Sequence, residues 1–402
     1  MKAPAYRSRW LERFAYIDLP KNFNNKDKSI WVHVVSVGET LASVPLIKHL
    51  LNTYPQYSIV VTTMTPTGSA RVLEIFGDSV FHTYIPYDLP GAMDRFIRKT
   101  NPGAFIILET ELWPNALYQC RKLGIRTMLV NARLSEKSAI GYKRISFISR
   151  EMLGGIDCIA AQGQPDAQRF IELGAEPSKV VVTGSLKFEM ELPETKAQEL
   201  PAILLQVKES NRKVIIAAST REGEDEKVLS AFHQCLKQHP SLLLVLVPRH
   251  PERFESVANL CERQQLNVIL RSGNKPVAED TQVLIGDSMG EMWLYYSLAD
   301  IAFVGGSLVN TGCHNVLEPA ALGIPVLVGP SQYNFELICR QLQQAGALNT
   351  VRDANDLGQQ LLQLLSNPER CRVMGAAGKN LVESNKGSVE KLKVLIKEQL
   401  RW

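Results

Sequence analysis

Short apolar blocks alternate along this chain with longer stretches in which apolar residues recur at helical spacing. Ile30-Trp31-Val32-His33-Val34-Val35 predicts a strand over 30–38, and Leu41, Val44, Ile47, Leu50 and Leu51 then fall at helix spacing. Residues 59–61, 104–108, 127–130, 158–161 and 180–182 predict further strands with helical stretches among them. The blocks do not alternate apolar with polar, so both faces of each strand must be covered. Strand–helix repeats of that character predict a parallel sheet with helices on both sides. Residues 189–212 break the rhythm. Glu189-Met190-Glu191-Leu192-Pro193-Glu194 is polar and proline-marked, and only a weak helical pattern leads to Asn211. A second series of predicted strands follows at 213–218, 242–247, 267–270, 282–285, 300–304 and 325–328. From 361 to 400 the pattern is helical and charged, and Gly375 with Gly378 predicts a turn after which the last helix can cross back.

The expected architecture is α/β: two doubly wound, Rossmann-like domains whose strand-end loops face each other across a cleft. The expected boundaries are an arm at 1–28, a first domain at 29–190 and a linker at 191–212. A second domain at 213–385 and a C-terminal helix at 386–402, free to cross back to the first domain, complete the chain. Ligands of such sheets sit outside the carboxyl ends of the strands.

Composition narrows this picture. A length of 402 residues suits two domains, and 45% hydrophobic residues suffice for two cores. No run of 18 apolar residues occurs and the first residues show no signal-peptide pattern. The seven cysteines are scattered without a CxxC pair, which suits a reduced cytosolic compartment and makes a zinc site unexpected. The net charge is +4. That excess sits in residues 1–30, where Lys2, Arg7, Arg9, Arg13, Lys21, Lys26 and Lys28 outnumber Glu12, Asp18 and Asp27. An excess confined to one end argues against a nucleic-acid groove. Its interleaving with Tyr6, Trp10, Phe14 and Tyr16 suits an anionic membrane surface, with a solvated arm as the alternative.

Candidate chemistry lies at the predicted strand ends. Gly286-Asp287-Ser288-Met289-Gly290-Glu291 and Gly305-Gly306-Ser307, the latter followed by His314-Asn315-Val316-Leu317-Glu318-Pro319, each lead into a helical pattern. Glycine turns there bring backbone N–H groups and helix N-termini to an anionic ligand. Glu291 and Glu318 add acceptors for hydroxyls such as those of a ribose, so the pair reads as a nucleotide-binding wall. A tight turn with its cap is the alternative for either alone. Ser36-Val37-Gly38-Glu39 ends the first strand, and Glu39 can take a proton in the crevice or simply cap its helix. Glu109 and Glu111 follow an apolar strand, where two carboxylates are costly unless they work or find cations. Lys187, in Gly184-Ser185-Leu186-Lys187, can neutralise a phosphate or carboxylate, or be a solvated hinge lysine. Ser219-Thr220-Arg221-Glu222-Gly223-Glu224 suits an anion, as does Arg249 in Pro248-Arg249-His250-Pro251-Glu252-Arg253. His250 and His314 are better candidates than His33 and His49, which sit in apolar settings. No HExxH or strand-end acidic pair of the DxD kind occurs, so no metal is expected. A GxxxxGK[ST] loop and a GxGxxG after the first strand are also absent, against an ATPase or a dehydrogenase.

Read together, these loops resemble those of the 3-deoxy-D-manno-octulosonic acid (Kdo) transferases of lipopolysaccharide inner-core synthesis. The resemblance spans nearly the whole chain. It is carried by Val35-Ser36-Val37-Gly38-Glu39, Thr63-Met64-Thr65-Pro66-Thr67-Gly68, Glu109-Thr110-Glu111-Leu112-Trp113-Pro114-Asn115, Asn131-Ala132-Arg133-Leu134-Ser135, Gly184-Ser185-Leu186-Lys187, 248–253, 286–291 and 315–319. It implies the GT-B fold, with an acceptor domain at 29–190 and a donor domain at 213–385. It implies an inverting, metal-independent transfer of Kdo from CMP-Kdo to the lipid A precursor (lipid IVA), at the cytoplasmic face of the inner membrane and without a cofactor. Glu39 is then the general base, and Glu109 and Lys187 assist the transition state. Pro248, Arg249, Met289, Gly290, Glu291, Asn315, Val316, Leu317 and Glu318 would hold the CMP. Members of the family usually carry a hydrophobic anchor helix ahead of a basic stretch like Tyr6-Arg7-Ser8-Arg9-Trp10. Met1-Lys2-Ala3-Pro4 stands in that place here, so the expectation is a chain lacking the anchor whose arm still favours the membrane. Arg133, Lys137, Lys143, Arg144 and Arg150 could meet lipid phosphates or form a solvated helix face. The rival readings are another GT-B enzyme using a UDP-sugar, whether lipid glycosyltransferase or epimerase, and a non-catalytic membrane-associated nucleotide or lipid binder.

Overall fold

A computed structural model describes residues 9–21, 23, 27–189, 201–210, 212–273, 275–333 and 335–400. The chain divides into two compact units, 1–189 with 385–402 and 190–384. In the first unit seven strands form one parallel sheet: β1 (Ser29–His33), β2 (Ile59–Thr63), β3 (Phe81–Tyr84), β4 (Pro102–Leu108), β5 (Arg126–Ala132), β6 (Cys158–Ala161) and β7 (Val180–Val182). Their order is β3-β2-β1-β4-β5-β6-β7. Every residue of β1, β2 and β4 is buried, which is why those strands read as unbroken apolar blocks. Trp31 of β1 stacks on its β4 neighbour Phe105 at 3.6 Å between ring centroids, and both are fully buried.

The second unit repeats the plan with β8 (Val214–Thr220), β9 (Leu243–Pro248), β10 (Val268–Leu270), β11 (Val283–Ile285), β12 (Ile301–Val304), β13 (Val326–Val328) and β14 (Leu348–Thr350), again all parallel. The order is β10-β11-β9-β8-β12-β13-β14. Two strands escaped the sequence reading, β3 (Phe-His-Thr-Tyr) and β14 (Leu-Asn-Thr). Both are short edge strands whose polar residues hide the apolar block.

Two further readings meet the structure differently. The 191–212 stretch holds the helix Ala202–Glu209, whose Ile203, Leu204 and Val207 are buried in the second unit's core; residues 190–200 and 211 lie outside the described residues. Gly375 and Gly378 make no turn, because the helix Pro368–Ser384 runs through both. They serve close packing instead. A Cβ at 375 would stand 1.8 Å from the Gly323 carbonyl oxygen, and one at 378 would crowd Ala320. The break comes later, at Gly387 (φ 96°), ahead of the helix Ser388–Gln399. Val389, Leu392 and Ile396 of that helix are buried in the first unit's core, and Glu189 Oε1 accepts from Gly387 N at 2.7 Å and Ser388 Oγ at 2.8 Å.

Of the N-terminal arm, residues 1–8, 22 and 24–26 lie outside the described residues. The remainder is built into the first unit. Arg13 is buried, donates to the Met64 carbonyl at 2.8 Å and lies 4.4 Å over the Tyr84 ring. Glu12 accepts from Tyr84 N and Thr83 Oγ1, both at 2.9 Å, while Trp10, Leu11 and Tyr16 stay exposed. No helix among the described residues is long and apolar enough to cross a membrane.

Candidate active site

In each sheet the strand order reverses beside the central strand, at β1/β4 and at β8/β12, and doubly wound sheets open their ligand crevice there. In the first unit the chain leaving β1 starts the helix Val37–Thr53 with Ser36 as N-cap. Ser36 Oγ donates to Glu39 Oε1 at 3.0 Å and accepts from Glu39 N at 3.4 Å, and Glu39 Oε2 accepts the Val35 N–H at 2.8 Å. This is close to the reciprocal Ser-x-x-Glu cap, so Glu39 does cap its helix. Its carboxyl is nonetheless pushed up to about 7, by burial first and then by the neighbouring charges of Glu109 and Glu111, against the hydrogen bonds from Val35 and Ser36. The 63–68 motif holds this turn in place. Thr65 Oγ1 donates to Val35 O at 3.2 Å and accepts from Gly68 N at 3.1 Å, and a Cβ at 68 would press on Thr65 Oγ1 and Val35 O at 2.9 and 3.3 Å.

Glu109 leaves β4 in the left-handed region at φ 56°, so the segment carrying Glu109 and Glu111 does not continue the strand. A non-glycine residue held there costs about 1–3 kcal/mol, and such residues cluster at functional sites. The end of β5 fixes it. Val130 O accepts from Glu109 N at 3.0 Å, and Thr110 Oγ1 donates to Arg133 O. Asn131, buried and itself left-handed at φ 53°, accepts the Leu186 N–H on Oδ1 at 3.0 Å. The same strand end therefore sets both Glu109 and the turn bearing Lys187, whose Nζ lies 3.8 Å from Glu109 Oε1. Glu111 is pushed above the usual carboxylate range by burial and by Glu109. Three carboxylates and one ammonium thus share this crevice, and a carboxyl titrating near neutrality is suited to general-base work.

In the second unit the strand order brings the loops after β11, β9, β8 and β12 side by side. Met289 is exposed, Gly290 takes φ 80°, and Glu291 accepts from Ser288 Oγ at 2.6 Å and Arg271 Nη2 at 3.2 Å. Asn315 donates to Glu318 Oε1 at 3.0 Å and its Oδ1 accepts from Leu317 N at 3.1 Å, while burial pushes Glu318 up to about 7. Val316 and Leu317 are fully buried, backbone and side chain alike. Pro248 closes β9, and the Arg249 N–H donates to Thr220 O at 3.0 Å.

The cationic part of this wall was only partly anticipated. Arg221 Nε donates to His314 Nε2 at 3.1 Å and its Nη1 pairs with His250 Nε2. Burial and the adjacent Arg221 and Arg249 hold His314 down at about 4, so it is a neutral acceptor near pH 7. Arg253 is neutralised by buried Asp225. Arg221 and Arg249 have no ion-pair partner among the described residues. The Gly305-Gly306-Ser307 turn corrects the sequence reading: its N–H groups are already taken. Buried Glu224 accepts from Gly306 N at 2.6 Å, Ser307 N at 2.9 Å, Leu308 N at 2.8 Å and Arg221 N at 2.9 Å. Gly305 is required for a different reason, since a Cβ there would stand 2.6 Å from Ser219 O. An acid three residues after Arg221 was the available signal, but a one-dimensional reading does not show which strand end it reaches. Among the described residues no group of three or more His, Cys, Asp or Glu side chains is arranged to hold a metal ion.

A family model of glycosyl transferases group 1 matches residues 196–381. Among solved structures, a glycosyltransferase from Rickettsia africae aligns with TM-score 0.59 at 16% identity, covering 93% of this chain and 99% of that one. The UDP-GlcNAc 2-epimerase from Neisseria meningitidis aligns at 0.59 and 16%, covering 92% and 100%. At these identities the likeness is one of fold, the GT-B plan of two parallel-sheet Rossmann-like domains. With the family match, the protein is a glycosyltransferase. The first unit makes the assignment narrower. The model for 3-deoxy-D-manno-octulosonic-acid transferase (kdotransferase) matches residues 8–190, and a transferase of that name from Haemophilus influenzae is 41% identical over 405 residues, 100% of this chain and 93% of the relative. The relative from Bordetella pertussis is 37% identical over 372 residues, 90% and 85%. This chain belongs to the Kdo transferase family.

Proposed function

We propose that this protein transfers Kdo from CMP-Kdo to a hydroxyl of the lipid A precursor, with inversion at the anomeric carbon and without a metal. The observation that carries the reading is the Glu39 carboxyl at the β1/β4 crevice, held by Ser36 and Val35 and titrating near 7, in a chain of this family. Glu39 takes the acceptor hydroxyl's proton as that oxygen bonds to the anomeric carbon and CMP departs. Lys187 and Glu109, 3.8 Å apart, assist the transition state. The departing group carries one phosphate, and the un-neutralised Arg249 can balance it. Met289-Gly290-Glu291 and Asn315 through Glu318 are the remaining CMP contacts in this reading. The acceptor is a lipid, so the enzyme works at the cytoplasmic face of the inner membrane. Incubation with CMP-Kdo and lipid IVA, read by product mass, tests the assignment. A mass increase of one or more Kdo units supports it; transfer from a UDP-sugar instead, or CMP binding without any product, refutes it.

A further inference from the structure

A cavity of about 760 Å³ adjoins the cationic wall within the second unit. It lies where β12 and β13 end, and Ser307, Leu308, Asn310, Ser331, Gln332 and Tyr333 line it. Its charged lining residues, Glu336 and Arg340, pair with each other at 3.5 Å. The turn bearing Arg221 is fastened to the same wall. Glu224 binds the N–H groups of Ser307 and Leu308, a Cβ at Gly223 would touch Val309, and Lys227 Nζ donates to Leu308 O at 2.8 Å. His314 and His250 orient the Arg221 guanidinium. Along the sheet edge the loops run in the order β11, β9, β8, β12, β13. With the nucleotide assigned to the β11 and β9 loops and to 315–318, the Arg221 turn lies among those loops, and the cavity opens beside it where β12 and β13 end.

The geometry points to Arg221 as a specificity-determining residue that pairs with the carboxylate of the donor's acidic sugar, seated in this cavity. The inference rests on the CMP-Kdo reading. That donor carries two anionic groups, phosphate and sugar carboxylate, and the wall offers two arginines without carboxylate partners. A guanidinium fixed by two neutral imidazoles is already oriented, so little ordering is lost when it pairs. The polar lining suits a sugar rich in hydroxyls.

The test separates sugar from nucleotide in the full chain. For Arg221→Gln the KM for CMP-Kdo should rise on the order of 10- to 100-fold, as for loss of a charge-assisted pair. The dissociation constant of CMP alone, by calorimetry, should stay within about threefold of wild type. Arg221→Lys should recover part of the loss. Asn310→Trp, an exposed position on the cavity rim, should raise the same KM and spare CMP. Equal loss of CMP affinity in Arg221→Gln would make Arg221 a phosphate ligand and overturn the inference, as would an unchanged KM in Asn310→Trp. If the wild-type chain bound CMP but turned over no CMP-Kdo, the donor assignment itself would fall, a result distinct from both.

Discussion

Replacing Glu39 by Gln removes the titrating group while keeping the side chain's shape, and its consequences can be worked out in both stability and rate. The carboxyl stands at about 7 in the fold against its ordinary value of 4.5, mainly through burial. Ionising it in the native state therefore costs at most about 3 kcal/mol, less whatever water at the half-buried carboxylate screens. The sign follows from the raised value. Below 4.5 the group is protonated folded and unfolded, and the fold keeps its full stability. As pH rises through about 7 that advantage is lost, because the unfolded chain has already released its proton. Gln does not titrate, but it surrenders one of the two cap interactions at Val35 N and Ser36 Oγ, about 1 kcal/mol. The variant should accordingly be no more stable than wild type at pH 4.5. By pH 8 it should be up to about 2 kcal/mol more stable, roughly 4–8 °C in the first unit's melting temperature. In the same variant turnover should fall about 10²- to 10⁴-fold with CMP affinity intact. Wild-type kcat/KM should rise with pH around a midpoint near 7. Melting curves against pH and a pH–rate profile check both arms. A stability difference that ignores pH, or an activity limb centred near 4.5, would refute the reasoning.

Arg249→Gln should weaken CMP binding about 10- to 100-fold by calorimetry and flatten its salt dependence, since the proposed phosphate contact loses its charge. Gly375→Ala must move either the helix Pro368–Ser384 or the Gly323 carbonyl, so it should lower stability by about 1–3 kcal/mol or more, read as a fall in the urea midpoint of the second unit without a change in slope.

Much of this molecule could be read from its residues in order. Unbroken apolar runs such as Val60-Val61 and Phe105-Ile106-Ile107 announce strands covered on both faces, because only burial on both sides tolerates them. The glycine and carboxylate turns at their ends mark the candidate sites, because loops there must bend sharply and carry polar groups. Edge strands β3 and β14 stayed hidden, since a short strand with polar residues has no period to detect. What the linear chain could not decide is which partner a group finds. Gly375 and Gly378 read as a turn, yet they mark a close helix contact, because a glycine's missing side chain serves either purpose. The Gly306-Ser307 amides read as a ligand's cradle, and Glu224, 82 residues away, fills it. The neutral state of His314 and the near-neutral titration of Glu39 come from burial and from charges brought close by the strand order. Propensity and pattern act over a few neighbouring residues, whereas dielectric environment and hydrogen-bond partners are set only when distant strands are assembled.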